Sequence, residues 1–420
     1  MYNTIQIKYK MIFTRYLYLQ DEVKIALMVS LLNKSNASIF WAYELYYSGF
    51  ENELFRLLWK IYYAFYYTLN PAFQQYFIKK HKDWLKMGAS IERDKIICII
   101  VNNLLIRPFN LDVFMLKQTT KTEKSNKTTT SKFLHTPSTS STEYNLKTEA
   151  CLQASVFLQM LQKNKYVDVA EYILHQCPVD KLVDTLNSVV EYFISKNMSL
   201  DKTKIMKNYI SVTRLSLVDI RVLLLSNIMH YYSLEAGLTM GKKLYIIVDP
   251  SDIVMYETIT TNDKLAARDI LPIACMYNID EHQCLSLFTT NRNNLEENGN
   301  ERSESKFSDY TPERQRRSIQ EMYWYHWVYY ASFSPIWLDR ITKHKGVLNH
   351  IDQKVEFIDD DHMEEFYDQF GYEPDEQKRE TQEKNIQPIK NIRTWSSFYE
   401  EFKHNSLYKQ NSITNVTKFR

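Results

Sequence analysis

The stretch FWAYELYYSGFENELFRLLWKIYYAFYY, Phe40 to Tyr67, sets large aromatic rings at helical spacing on either side of a single Ser48-Gly49 break. Leu54, Leu58, Ile61 and Phe65 recur every three or four positions, and Phe55, Trp59, Tyr62 and Tyr66 form a second row beside them. Two adjacent rows make a broad apolar face, as on a helix covered by neighbours on more than one side. Ser38 reads as the N-cap of the first helix and Gly49 as its C-terminal stop, giving an αα-hairpin. Pro71 then ends or kinks the second helix.

Composition extends that reading to the whole chain. Among 420 residues there are only 7 Gly and 10 Pro, against a combined average usage of roughly 12%. Strand-rich folds consume both residues in turns, so this scarcity predicts long helices. It also leaves no GxGxxG and no GxxxxGK[ST], which disfavours Rossmann and P-loop nucleotide enzymes. Charges nearly balance, with 52 basic and 50 acidic residues, so the chain has no global electrostatic footprint for nucleic acid. Cys98, Cys151, Cys177, Cys275 and Cys284 are odd in number and far apart. They read as reduced thiols of a cytoplasmic protein. No window reaches 18 uncharged apolar residues, and the start lacks a signal-peptide pattern.

Helical pattern fills residues 1–116, the aromatic-rich N-terminal domain, including DEVKIALMVSLLNK and, capped by Ser90, SIERDKIICIIVNNLLIRPF. A linker is expected over 117–146, where residues 118–142 hold 14 Ser or Thr among 25; such a segment cannot offset its ordering entropy by burial. Helices resume in a central region, 147–289. Within it KLYIIV and IVMYETI flank Asp249-Pro250-Ser251-Asp252, predicting one small β-hairpin near 242–260. A polar linker at 290–310 leads to a C-terminal helical region, 311–420, with Thr311-Pro312 as a helix start. The expected architecture is all-α: an irregular multi-helix bundle or short α-solenoid-like array with one small β-hairpin.

Candidate chemistry is sparse. DDDHMEE, residues 359–365, could bind a divalent metal, with Asp361 and Glu365 sharing one helical face and Asp360 and Glu364 another. Consecutive aspartates equally mark a helix start. Cys275, His282 and Cys284 give three possible zinc ligands without paired spacing. His230 and His326 read as structural, and Asp249 and Asp252 as turn residues. Arg316 and Arg317 precede a ring cluster containing Tyr323, Trp324, Trp327 and, further on, Trp337. Tyr, Trp and Arg are over-represented where partners bury one another, which makes these six the candidate partner-binding residues. The same arginines and rings could instead hold single-stranded nucleic acid. No cofactor is indicated. A strongly acidic segment, Asp352 to Glu376, carries eleven carboxylates and one lysine.

TRYLYLQDEVKIALMVSLL and FWAYELYYSGFENELFRLLWKIYYAFYYTLNP, with SPIWLDRI and EEFYDQFGYEPDEQ further on, resemble an uncharacterised protein family of nucleocytoplasmic large DNA viruses. The resemblance covers about half of the chain, in two blocks. That family has no assigned reaction, so no catalytic residue carries over. It implies a host-cytoplasm setting, in a viral factory or virion. The functional expectation is a non-enzymatic helical scaffold or protein-interaction protein. The alternatives are a nucleic-acid-associated accessory factor or a metal-dependent enzyme around Asp360, Asp361, Glu364 and Glu365.

Overall fold

The computed structural model describes residues 12–126, 155–257, 326–370 and 395–408. In chain order the helices are α1 (Gln20–Leu32), α2 (Ala37–Tyr47), α3 (Glu51–Ile61), α4 (Phe73–Lys86), α5 (Ile91–Leu105), α6 (Asp112–Asn126), α7 (155–162) and α8 (Tyr166–Glu171). They continue with α9 (Leu182–Ser195), α10 (Lys202–Thr213), α11 (Ile220–Glu235), α12 (Trp327–Ala331), α13 (Pro335–Lys343), α14 (Asp360–Phe370) and α15 (Trp395–Phe402). Among the described residues, one two-stranded antiparallel sheet pairs β1 (Val347–Asn349) with β2 (Lys354–Glu356). The fold is all-α with a small β-hairpin.

Contacts divide the chain into two compact units, each assembled from separate segments. One comprises Met1–Leu57, Lys80–Leu105 and Ile246–Thr394; the other comprises Leu58–Lys79, Ile106–Tyr245 and Trp395–Arg420. The division falls inside α3 and α4.

In the first unit α1 and α2 pack against each other and against α5. At the end of α2, Gly49 takes φ +89°, its N–H bonds Tyr46 O, and the N–H of Phe50 reaches back to Leu45 O. This is the glycine stop that the sequence predicts. The N-cap differs: Asn36, not Ser38, precedes the helix, and Ser38 is buried one residue inside it. Ser90 does cap α5, accepting from Arg93 N at 3.3 Å. A separate apolar cluster joins Phe13 and Leu17 to Trp327, Val328, Trp337, Ile341 and Phe366.

In the second unit the α3 pattern continues through a π-helical turn, Tyr62–Tyr66, closed by Tyr67 N bonding Tyr62 O at 2.7 Å. Both predicted apolar rows are buried, and Trp59 stacks on Phe77 with ring centroids 3.7 Å apart. Buried phenols keep partners: Tyr62 donates to Asn70 O, Tyr67 to Asn227, and Tyr63 accepts from Gln74. Burial raises the pKa of each, so all three stay protonated at neutral pH. Helices α10 and α11 each pack against α9. Asp201 and Asp219 cap α10 and α11 by accepting from Lys204 N and Arg221 N.

One local expectation is corrected. The 242–260 hairpin is not formed over its described residues, 242–257. Asp249 and Asp252 form a capping box around a 3-10 turn, Pro250–Asp252, and a second 3-10 turn follows at Val254–Tyr256. In the first unit Ile246 bonds the Asn103 side chain through both its N–H and its C=O, and in the second Leu244 O accepts from Arg107. Side chains therefore satisfy the backbone that a strand partner would have satisfied. The hairpin lies instead at 347–356. Over the described part of the expected 117–146 linker, α6 runs on to Asn126; Gln118 and Thr120 are buried, Thr119 Oγ1 bonds back to Met115 O, and residues 127–146 lie outside the described residues.

Candidate functional site

Four of the six candidate partner-binding residues, Arg316, Arg317, Tyr323 and Trp324, lie outside the described residues, as do Cys275, His282 and Cys284. Trp327 and Trp337 are described, and they belong to the core. They are 3% and 4% exposed, meet edge to face at 5.4 Å, and the Trp337 indole N–H donates to Thr14 O at 2.9 Å. Rings so enclosed cannot dock a partner without unfolding this cluster.

The acidic cluster is a helix start. Asp359 precedes α14 and accepts from the backbone N–H of His362 at 2.9 Å and from its ring Nδ1. The backbone N–H first, then the ring, hold the Asp359 carboxyl below its ordinary pKa. Asp360, Asp361, Glu364 and Glu365 all point to solvent from the same helix. Glu365 lies 3.8 Å from His344. Among the described residues no three His, Cys, Asp or Glu side chains gather closely enough to hold a metal ion.

Just before α14 stands the feature that the sequence reading missed. The β1–β2 ribbon turns through His350-Ile351-Asp352-Gln353, and the turn is fastened from both sides. Asn349 Oδ1 accepts from the N–H groups of Ile351 and Asp352, both at 3.0 Å, while its Nδ2 donates to Asp352 and Glu356. Gln353, at φ +55°, is held by Tyr330 OH on its side chain and by His326 Nδ1 on its carbonyl. Tyr329 OH meets His350 Nδ1 at 3.1 Å. This frame leaves Ile351 93% exposed at the apex, with Val347 and Ile358 also in solvent. One face of the ribbon, through Val355, packs on the aromatic cluster. Gly346 makes this possible: a Cβ there would sit 2.6 Å from Ile341 Cγ2. A legible signal did exist in VLN and KVE flanking a short polar turn, but three-residue strands are too short for alternation to stand out.

Other polar clusters in the first unit are structural. Asp94 accepts from Tyr46 OH at 2.6 Å and Tyr47 OH at 3.2 Å, and Arg93 forms a two-pronged pair with Glu51 while covering the Trp84 ring at 4.1 Å. Burial raises both phenol pKa values, so the tyrosines act as donors and supply no base. In the second unit a shallow cavity of about 370 Å³ lies between the α7–α8 turn and residues Leu407 and Tyr408, its rim closed by a Lys165–Asp168 ion pair. No helix among the described residues is long and apolar enough to cross a membrane. No family model, curated protein or solved structure matches the chain.

Proposed function

We propose that this chain is a non-catalytic docking protein whose 347–358 ribbon inserts Ile351 into an apolar socket of a protein partner. The acidic α14 adds charge that selects a socket rimmed by Lys or Arg. The observation that carries the reading is the contrast between a fastened turn and its exposed apex. Six or more side-chain contacts organise a loop whose largest side chain touches almost nothing. A preorganised anchor of this kind lowers the entropy cost of association. A viral factory or virion, as the sequence resemblance implies, is the setting proposed for that partner.

A photo-crosslinker placed at Ile351 tests this. The expected result is one dominant adduct from native or infected cells, on a Lys/Arg-flanked peptide, lost in a Glu364→Lys/Glu365→Lys chain. Capture of the same partner by Ile351→Asp as by the native chain would overturn the reading. So would divalent-metal-dependent turnover of nucleic acid that disappears on Asp360→Ala or Asp361→Ala.

A further inference from the structure

The turn between α4 and α5 combines two features found together nowhere in the described hairpin. Leu85, Met87 and Ile91 are 61%, 43% and 37% exposed within seven residues of chain. Gly88 between them faces open space. Lys82 and Lys86 are exposed on the last turns of α4 and form no ion pair among the described residues. Nearby charges are already engaged: Arg93 by Glu51, Lys95 by Glu92, and Asp94 by two phenols. Asp83, between the two lysines in the chain, is half-buried. The tip therefore projects apolar side chains with a positive collar behind them.

Beneath the tip the structure is stiff. Trp84 is 3% exposed, tilted against Phe55 at 4.5 Å and covered by Arg93, while His81 stacks on Phe55 at 4.1 Å. Leu85 and Met87 thus face out because Trp84 faces in. An anionic lipid surface uses both parts: apolar side chains enter the acyl boundary, and lysine stems carry their ammonium groups to the headgroups.

We infer that the α4–α5 turn is a peripheral docking tip for an anionic membrane surface. The occupant is a leaflet rich in anionic headgroups, entered by Leu85 and Met87 and held by Lys82 and Lys86. Helix α4, at 14 residues, is too short to span, and only its C-terminal end meets the headgroups.

Co-sedimentation of the full chain with vesicles tests this, using phosphatidylcholine alone and phosphatidylcholine with about 30 mol% phosphatidylserine. Binding is expected only to the anionic vesicles, and it should weaken on raising NaCl to about 0.5 M. Leu85→Ser/Met87→Ser and Lys82→Glu/Lys86→Glu each lower the partition coefficient about tenfold or more. All four side chains are exposed, so both variants should keep the native circular dichroism spectrum. Failure to bind anionic vesicles overturns the inference, as does binding that neither variant changes. Binding to a single-stranded oligonucleotide that needs the lysines but not Leu85 and Met87 also overturns it.

Discussion

Arg15 and Glu44 form an ion pair closed to solvent: Nε to Oε2 is 2.9 Å, and the side chains are 1% and 0% exposed. The second carboxylate oxygen accepts from Tyr16 N, and the guanidinium lies over the Tyr16 and Tyr47 rings. Arg15 N also donates to Ser48 Oγ, so the pair ties the entry segment to the end of α2. Truncating one partner strands the other charge out of water. Glu44→Ala is expected to destabilise by about 3–5 kcal/mol. An Arg15→Met/Glu44→Leu double variant should cost clearly less than the single change. Urea unfolding of the native chain, Glu44→Ala and the double variant measures both.

Gly49 and Gly88 separate conformational need from mere presence. Gly49 has φ +89°, and a Cβ there would lie 2.5 Å from Pro335 Cβ. Gly49→Ala should cost about 2 kcal/mol or more, since strain and collision add. Gly88 has neither constraint, and Gly88→Ala should be neutral or stabilising by up to about 1 kcal/mol. Thermal melts of the two variants side by side decide this.

Asp112 is fully buried at the start of α6, where its carboxylate accepts from the N–H groups of Leu407 and Tyr408 at 3.2 and 2.9 Å. Burial outweighs these bonds and pushes its pKa up to about 6, from an ordinary 3.8. The folded state thus holds this proton more tightly than the unfolded one. Its contribution favours folding at low pH and is lost as pH rises through 6, a swing on the order of 3 kcal/mol at most. Asp112→Asn removes the titrating charge, though its NH2 can no longer accept from one of the two N–H groups. Urea unfolding of this variant should therefore lose the fall in stability that the native chain shows between pH 4 and pH 7.5.

His230 works in the opposite sense. Its Nδ1 lies 2.7 Å from Thr68 O, and burial lowers its pKa to about 4. The unfolded chain therefore binds the proton more readily. Stability from keeping this ring neutral is complete above pH 6.5 and is lost as pH falls toward 4. A ring titration followed by NMR should show the His230 midpoint well below that of an exposed histidine.

Trp337 and Ile351 test which side chains hold the fold. Trp337→Ala removes a core ring and its bond to Thr14 O, and should cost about 3–5 kcal/mol. Ile351→Ser, at an apex that touches almost nothing, should stay within about 0.5 kcal/mol. Denaturant midpoints of the two variants check the contrast.

Residues 40–67 made the helical class legible, because a period of three to four with few glycines leaves few other structures. The Gly49 stop, the Ser90 cap and the burial of Trp59 and Tyr62 follow from local chemistry and could be read residue by residue. At the candidate site much less was legible. The sequence ranks Trp327 and Trp337 as anchors because exposed and enclosed indoles are spelled alike; what separates them is Phe13, Leu17 and Phe366 arriving from far along the chain. For KLYIIV the absence of a ladder partner was equally invisible, since Asn103 lies over a hundred residues away and answers that backbone with its side chain.

By itself, then, the sequence determined the helical class and, over residues 40–67, which faces avoid water, because helix period and glycine scarcity act between near neighbours. Tertiary structure alone decided which rings stay covered, where the ribbon forms and that Ile351 and Leu85 are left outside, because those outcomes depend on which distant side chains arrive to exclude solvent.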